Sequence, residues 1–185
     1  MGGQAYLQKS ADVVAVVTCL ISPLLMGGVI PLCAWVIFAF AAIGAALSLE
    51  GRVRVSMALT AAAGASLLTL VQWLPVPLTL VRWLSPERAA MLETAGSNWI
   101  PLSLDPGGTS LSLLHGFTVV FAVIAAARFR RRHGVTMCVS VAAASVALMA
   151  TVGLMHLVAG ADRVFGVYSP VDAAPRPMAP LMNPN

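Results

Sequence analysis

Long apolar runs separated by short charged segments dominate the chain. Between positions 11 and 49 the only charged residue is Asp12, at the very start of the run. One helix over this run would extend about 58 Å at ~1.5 Å per residue, nearly twice the ~30 Å hydrocarbon core of a bilayer. The sequence GGVIP at 27–31 supplies a break. The pattern therefore predicts a tight helical hairpin with spans at 11–28 and 30–49.

Three more apolar runs follow, and polar segments separate them. The predicted third, fourth and fifth spans are 56–74, 109–127 and 135–159. The densest charge cluster, RFRRRH at 128–133, lies between the last two spans. The tail at 160–185 is rich in proline and has no long apolar run, so we expect it to be a loop.

The third predicted span carries small residues one helical turn apart, Ala61 with Ala65 and Ala62 with Ser66. Small side chains let two helix backbones approach closely in lipid. We therefore expect this helix to use these pairs to pack against a neighbouring helix.

Residues 75–108 differ from the spans, because prolines and charged residues interrupt their apolar positions. Ser85-Pro86-Glu87 is typical of a helix start, with serine as the N-cap, proline in the first helical position and glutamate near the positive end of the helix dipole. Gly96 is a candidate end for that helix, and Asp105-Pro106 repeats the start signal. Such a mixed segment favours a position in the membrane interface over a crossing.

Composition supports the same fold class. The chain is 59% hydrophobic and only 10% charged, whereas a soluble domain averages about 25% charged residues. The formal charge of +4 does not indicate nucleic-acid binding, because the arginines cluster between apolar runs. We predict one all-α membrane domain over 1–185, a polytopic transmembrane bundle of about five spans with an amphipathic periplasmic interfacial segment at 75–108.

The distribution of basic residues predicts the orientation. A cytoplasmic N-terminus places seven basic residues inside: Lys9, Arg52, Arg54, Arg128, Arg130, Arg131 and Arg132. Four remain outside: Arg82, Arg88, Arg163 and Arg176. The positive-inside rule prefers this arrangement, with the 75–108 segment and the tail on the outer side of the membrane.

Few residues indicate chemistry. Cys19, Cys33 and Cys138 lack the spacing of a disulfide framework or a metal site, and no cofactor is indicated. His115 and His156 fall near the outer ends of the fourth and fifth spans, either as a proton-handling pair or as separately packed interfacial histidines. The RFRRRH cluster either binds anionic lipid headgroups or acts only as a topology determinant.

Two stretches carry a resemblance to a known family. WLPVPLTLVRWLSP followed by WIPLSLDPGGT, and then VFGVYSP with APLMNPN, are similar to segments of the bacterial O-antigen ligase and O-antigen polymerase family. The first match rests on Pro75, Pro77, Leu84-Ser85-Pro86 and the run Ser103-Leu104-Asp105-Pro106-Gly107-Gly108-Thr109. The second rests on Gly166, Tyr168, Pro170, Asn183, Pro184 and Asn185.

The resemblance implies transfer of glycan from undecaprenyl diphosphate at the periplasmic face, without a metal or another cofactor. It covers only the front of the family pattern, so we expect an N-terminal membrane portion that is inactive alone and is completed by further membrane helices. The diphosphate or glycan would be held by outer-face residues, since the planar fork of arginine pairs with phosphate oxygens. The candidates are Arg82, Arg163, Arg176, Asn183 and Asn185.

Two other classes of function stay open. One is a non-catalytic membrane subunit or scaffold, favoured by the small-residue helix faces. The other is a small transporter, disfavoured because the predicted spans are nearly free of the carboxylates and arginines that ion-coupled transport uses.

Overall fold

The computed structural model describes residues 2–25, 30–49, 56–93 and 98–160, and most of them are helical. In chain order the elements are α1 (Gly2–Leu24), α2 (Pro31–Leu47), α3 (Met57–Trp73), β1 (Pro75–Pro77), α4 (Leu78–Leu84), α5 (Pro86–Glu93), β2 (Trp99–Pro101) and α6 (Pro106–Val158). The predominantly helical character is confirmed. The prediction of an all-α chain missed the short antiparallel sheet that β1 and β2 form.

The described residues divide into two compact units. The first unit contains the described residues of 1–54 and 121–185, and therefore α1, α2 and most of α6. The second unit covers 55–120, from α3 to the first turns of α6.

In the first unit, α1 and α2 pack through small side chains. Helix α2 begins at Pro31, whose missing N–H costs nothing in the first turn of a helix. Its buried residues recur at helical spacing along one stripe: Ala34, Ile37, Ala41, Gly44 and Ala45. A Cβ added at Gly44 would lie 3.3 Å from a Val14 methyl group of α1, so the two backbones are close there. The break predicted at Gly27 and Gly28 lies outside the described residues.

Helix α6 reverses at a single residue. Gly134 has φ 80° and ψ 175° inside the helical range, a conformation that is essentially restricted to glycine. Ala122 and Val146 line the same cavity, although an unbroken helix would separate them by about 36 Å. Residues 121–133 and 135–158 therefore form a helical hairpin. The prediction separated two helices with a charged connection at 128–133; the structure makes those residues helical and confines the turn to Gly134.

In the second unit, a two-stranded ladder closes the segment between α3 and α6. Pro75 pairs with Pro101, and Pro77 pairs with Trp99. Prolines are tolerated here because a two-stranded sheet has only edge strands. Helix α5 begins at Pro86, as the Ser85-Pro86-Glu87 pattern predicts.

The small residues of α3 fall on two different faces. Ser66 is buried, and a Cβ added at Gly116 of α6 would lie only 2.6 Å from its Oγ atom. Ala62, one turn earlier, is half-buried, whereas Ala61 and Ala65 are exposed. Of the two predicted pairs, Ala62 with Ser66 is therefore on the packed face.

Among the described residues, two helices are long and apolar enough to cross a membrane, Gln4–Leu24 and Pro106–Val158. Their most apolar windows are only 6% and 11% buried within the protein. Helices α2 and α3 are apolar but shorter, at 17 residues each. Large apolar side chains therefore cover much of the described surface, including Leu67, Val146 and Leu154.

Candidate functional site

Arg88 connects α5 to the end of β2. Its guanidinium group donates hydrogen bonds to the carbonyl oxygens of Pro101 (2.9 Å), Ser103 (2.7 Å) and Leu102. Hydrogen bonds from a charged donor are worth roughly twice as much as neutral ones. Arg88 thus joins α5 to three successive carbonyl groups at the end of β2 and directly after it.

The Ser103–Thr109 run forms the start of α6. Asp105 is its N-cap, since the Gly108 N–H donates to the Asp105 Oδ1 atom at 2.9 Å. The Thr109 hydroxyl donates to the Asp105 carbonyl at 2.7 Å, and the Asp105 N–H donates to the Ser103 hydroxyl at 3.1 Å. The hydroxyl groups of Ser103 and Thr109 also bond to each other. The helix start predicted at Asp105-Pro106 is confirmed.

Gly108 leaves the space that the capping carboxylate of Asp105 occupies. A Cβ at Gly108 would overlap the Asp105 carboxylate, and at Gly107 it would only touch it at 3.4 Å. The same run is joined to the end of α3, because the Ser103 N–H donates to the Gln72 carbonyl at 2.8 Å. We call the described residues of 75–109 the hairpin segment; hydrogen bonds join β1 to β2, α5 to the end of β2, and Ser103 to the start of α6.

The hairpin segment exposes large apolar side chains. Trp83 is 80% exposed, Trp99 is 62% exposed and Leu104 is 86% exposed. Tryptophan is enriched at membrane–water interfaces, where its ring is partly wet and partly apolar. The hairpin segment thus combines a polar hydrogen-bond network with exposed tryptophan side chains.

The structure describes only some of the predicted site residues. Arg82 lies in the last turn of α4, is exposed and has a contact with another group. Arg88 is half-buried, so Arg82 is the more accessible of the two. The other outer-face candidates lie outside the described residues: Arg163, Arg176, Asn183 and Asn185.

The two histidines with a predicted proton-handling role belong to different units. His115 is half-buried in the second unit, and His156 is half-buried in the first. The Nδ1 atom of His156 lies 2.8 Å from the carbonyl oxygen of Val152, one turn earlier in the helix. Each ring has a contact within the chain.

Sequence reasoning missed a charged cluster in the first unit. An Asp12 oxygen lies 2.8 Å from the Nε2 atom of His133, and the other lies 3.3 Å from the Arg132 guanidinium. Arg132 also donates to the Gln8 carbonyl at 2.9 Å, and the His133 ring packs 4.6 Å from the Phe129 ring. The sequence contains both partners of this cluster, since Asp12 lies at the start of the first apolar run and the basic residues lie at 128–133. The pairing spans 121 residues, so no local pattern could identify it.

A cavity of about 510 Å³ lies beside this cluster, within the first unit. Residues of α1, of α2 and of both arms of the α6 hairpin line it, and most are small or apolar. Its hydroxyl groups include those of Thr18 and Ser145, which already donate to the carbonyls of Val14 (2.7 Å) and Cys19 (2.9 Å).

Within the described residues, no three of the histidine, cysteine, aspartate and glutamate side chains are grouped closely enough to hold a metal ion. Comparison of the chain with protein-family models, with curated proteins and with solved structures finds no match.

Proposed function

We propose that the chain is the N-terminal membrane portion of a protein resembling bacterial O-antigen ligases and polymerases. In this role it acts on undecaprenyl-diphosphate-linked glycan at the periplasmic face of the inner membrane. The observation that supports the proposal is the hairpin segment. The two stretches that carry the first part of the resemblance are joined in one folded element, because Pro75–Pro77 pairs with Trp99–Pro101 and the Ser103 N–H donates to the Gln72 carbonyl.

The proposed placement in the bilayer follows from the distribution of basic residues along the sequence. Five spans with a cytoplasmic N-terminus put seven basic residues inside and four outside. Low burial of the apolar windows in α1 and α6 supports lipid contact along these helices. Exposed tryptophans on the hairpin segment support its position at the outer interface.

The hairpin segment would act by positioning substrate. Arg88, Ser103, Asp105 and Thr109 direct their polar atoms to the segment itself, so they hold its shape. Arg82, exposed beside Trp83, is then the described residue that would pair with a diphosphate oxygen. Glycan transfer itself would require further groups from the rest of the protein, because positioned groups around the reacting atoms supply most of the rate.

A photoreactive undecaprenyl diphosphate analogue tests this proposal on membranes that contain the 185-residue chain. We expect labelling that Arg82→Gln lowers and that unlabelled undecaprenyl diphosphate competes away. Lys9→Gln is the matched control, because it removes an exposed positive charge from the predicted cytoplasmic side. Equal labelling of the Arg82→Gln and Lys9→Gln variants would contradict the proposal.

A non-catalytic membrane subunit is the second candidate function. It is favoured by the same network, since the polar side chains of the hairpin segment serve its own backbone. Complementation of strains that lack the ligase or the polymerase separates the two candidates. The gene extended beyond position 185 should restore long-chain glycan if the chain is part of the enzyme, and should fail if it is only a subunit.

A further inference from the structure

The cavity of the first unit is suited to an apolar occupant. Its volume of about 510 Å³ would hold many waters at ~30 Å³ each, but every buried water needs two to four polar partners. The hydroxyl groups of Thr18 and Ser145 are already bonded to backbone carbonyls. Ser22 adds one further hydroxyl group, and small lining residues such as Ala15 and Ala142 add no polar side-chain atoms, so the lining offers too few partners for the waters that would fill this volume.

The cavity has the depth of one bilayer leaflet. Its lining extends from Ala15 to Pro23 on α1 and from Cys138 to Val146 on α6. Each stretch covers about 12 Å at ~1.5 Å per residue. Half of a ~30 Å hydrocarbon core is about 15 Å, so a chain that enters from one leaflet would fill the cavity without crossing the midplane.

One end of the cavity is next to an excess of positive charge. Ala15 lies one turn after Asp12, and Phe129, which also lines the cavity, packs against the ring of His133. The adjacent run contains four arginines: Arg128, Arg130, Arg131 and Arg132. Asp12 pairs with Arg132, whereas Arg130 and Arg131 are exposed, so these two arginines supply the positive charge at this end.

We propose that this cavity is a binding site for an anionic phospholipid. One acyl chain occupies the space between α1 and the two arms of α6, and the phosphate group binds the arginines of 128–132. Guanidinium groups bind phosphate oxygens in a bidentate geometry, and basic segments at the membrane surface attract anionic lipids. This proposal does not depend on glycan transfer, because it concerns a different unit and a different lipid.

Cross-linking tests the location of the acyl chain. The full 185-residue chain is reconstituted in vesicles that contain phosphatidylglycerol with a photoreactive group in the acyl chain, and the cross-linked peptides are identified by mass spectrometry. We expect cross-links to concentrate on 15–23, 122–129 and 138–146. Phosphatidylcholine with the same photoreactive chain should label them much less. Labels spread evenly over all exposed apolar helix faces would show ordinary contact with bulk lipid and would overturn the proposal.

Two variants on one helix separate the cavity from the helix surface. Ala142→Phe fills the cavity and should reduce cross-linking to the phosphatidylcholine level. Ala147 is exposed, as Ala142 is, but does not line the cavity, so Ala147→Phe adds the same ring and should leave cross-linking unchanged. Ala126→Phe tests the same cavity from the opposite arm if Ala142→Phe reduces the yield of folded protein. Equal effects of the Ala142→Phe and Ala147→Phe variants would overturn the proposal.

The headgroup contact has its own test. Each arginine near an anionic surface is worth ~1 kcal/mol, so removing two charges with Arg130→Gln and Arg131→Gln should lower the preference for phosphatidylglycerol about 30-fold. Both side chains are exposed, so the contacts of Asp12 are kept. A preference that does not change, or undecaprenyl phosphate that displaces phosphatidylglycerol at equal concentration, would contradict the assignment to a phospholipid.

Discussion

Different interactions hold the hairpin segment and the cavity region of the first unit together. In the hairpin segment, hydrogen bonds from Arg88, Ser103 and Asp105 connect strands, helices and caps. In the cavity region, α1, α2 and α6 meet through alanine and glycine, and a space of about 510 Å³ is left between them. The first arrangement specifies one shape, because each polar group has a defined partner. The second leaves room for an occupant, because small side chains bring helix backbones close without filling the space between them.

The largest effect should come from Arg88→Leu. The substitution removes bonds to three carbonyl groups, and charge-assisted hydrogen bonds contribute about 1.5–3 kcal/mol each. We expect a loss of at least about 3 kcal/mol in the free energy of unfolding, with early proteolysis within 75–109. The free energy of unfolding is measured in mixed micelles by tryptophan fluorescence. The Arg88→Lys variant should keep only part of the stability that Arg88 provides, because an ammonium group cannot reproduce the planar guanidinium group. Full stability of the Arg88→Leu variant would mean that the network does not hold the segment.

Gly134→Ala tests the reversal in α6. No atom lies within 4 Å of the added Cβ, so the cost arises from the backbone conformation alone. A side chain in this region of φ and ψ costs about 1–3 kcal/mol. Gly64→Ala is the matched control, since Gly64 also has open space but lies within α3, where alanine should stabilise by up to ~1 kcal/mol. Thermal unfolding should therefore shift in opposite directions for the two variants; shifts in the same direction would exclude a turn at Gly134.

Gly116→Ala tests the close packing of α3 against the start of α6. The new methyl group would lie 2.6 Å from the Ser66 Oγ atom and 3.3 Å from its Cβ atom. Overpacking of this kind costs about 1–3 kcal/mol. Ser66→Gly in the same chain removes the obstructing side chain and should recover part of the loss. A double-mutant cycle on the free energy of unfolding measures the coupling; additive effects would show that the two residues do not touch.

The smallest effect should come from Asp12→Asn in the first unit. Its partners Arg132 and His133 keep 25% and 39% of their side-chain surface exposed. Partly exposed ion pairs contribute ~0–1 kcal/mol, so we expect a loss of at most about 1 kcal/mol that becomes smaller in high salt. A loss as large as that of Arg88→Leu would show that the first unit also depends on a polar network.

The sequence by itself determined where several elements begin. Pro31, Pro86 and Pro106 each start a helix, and Asp105 caps the last of them. These features are local, because the fixed φ of proline and the reach of an N-cap side chain involve only a few neighbouring residues. The exposed apolar stretches of α1 and α6 likewise follow directly from composition.

Only the tertiary structure determined which distant residues bond to each other. Arg88 and the carbonyl groups it binds are 13 to 15 residues apart, and Asp12 and His133 are 121 residues apart. Helical periodicity cannot relate positions on different elements, so neither pairing could be derived from the pattern. The cavity is likewise a product of tertiary structure, because it exists only where three helices meet and Gly134 turns α6 back on itself. Alanine and glycine allow such a space, but only the arrangement of the helices around them determines where it lies.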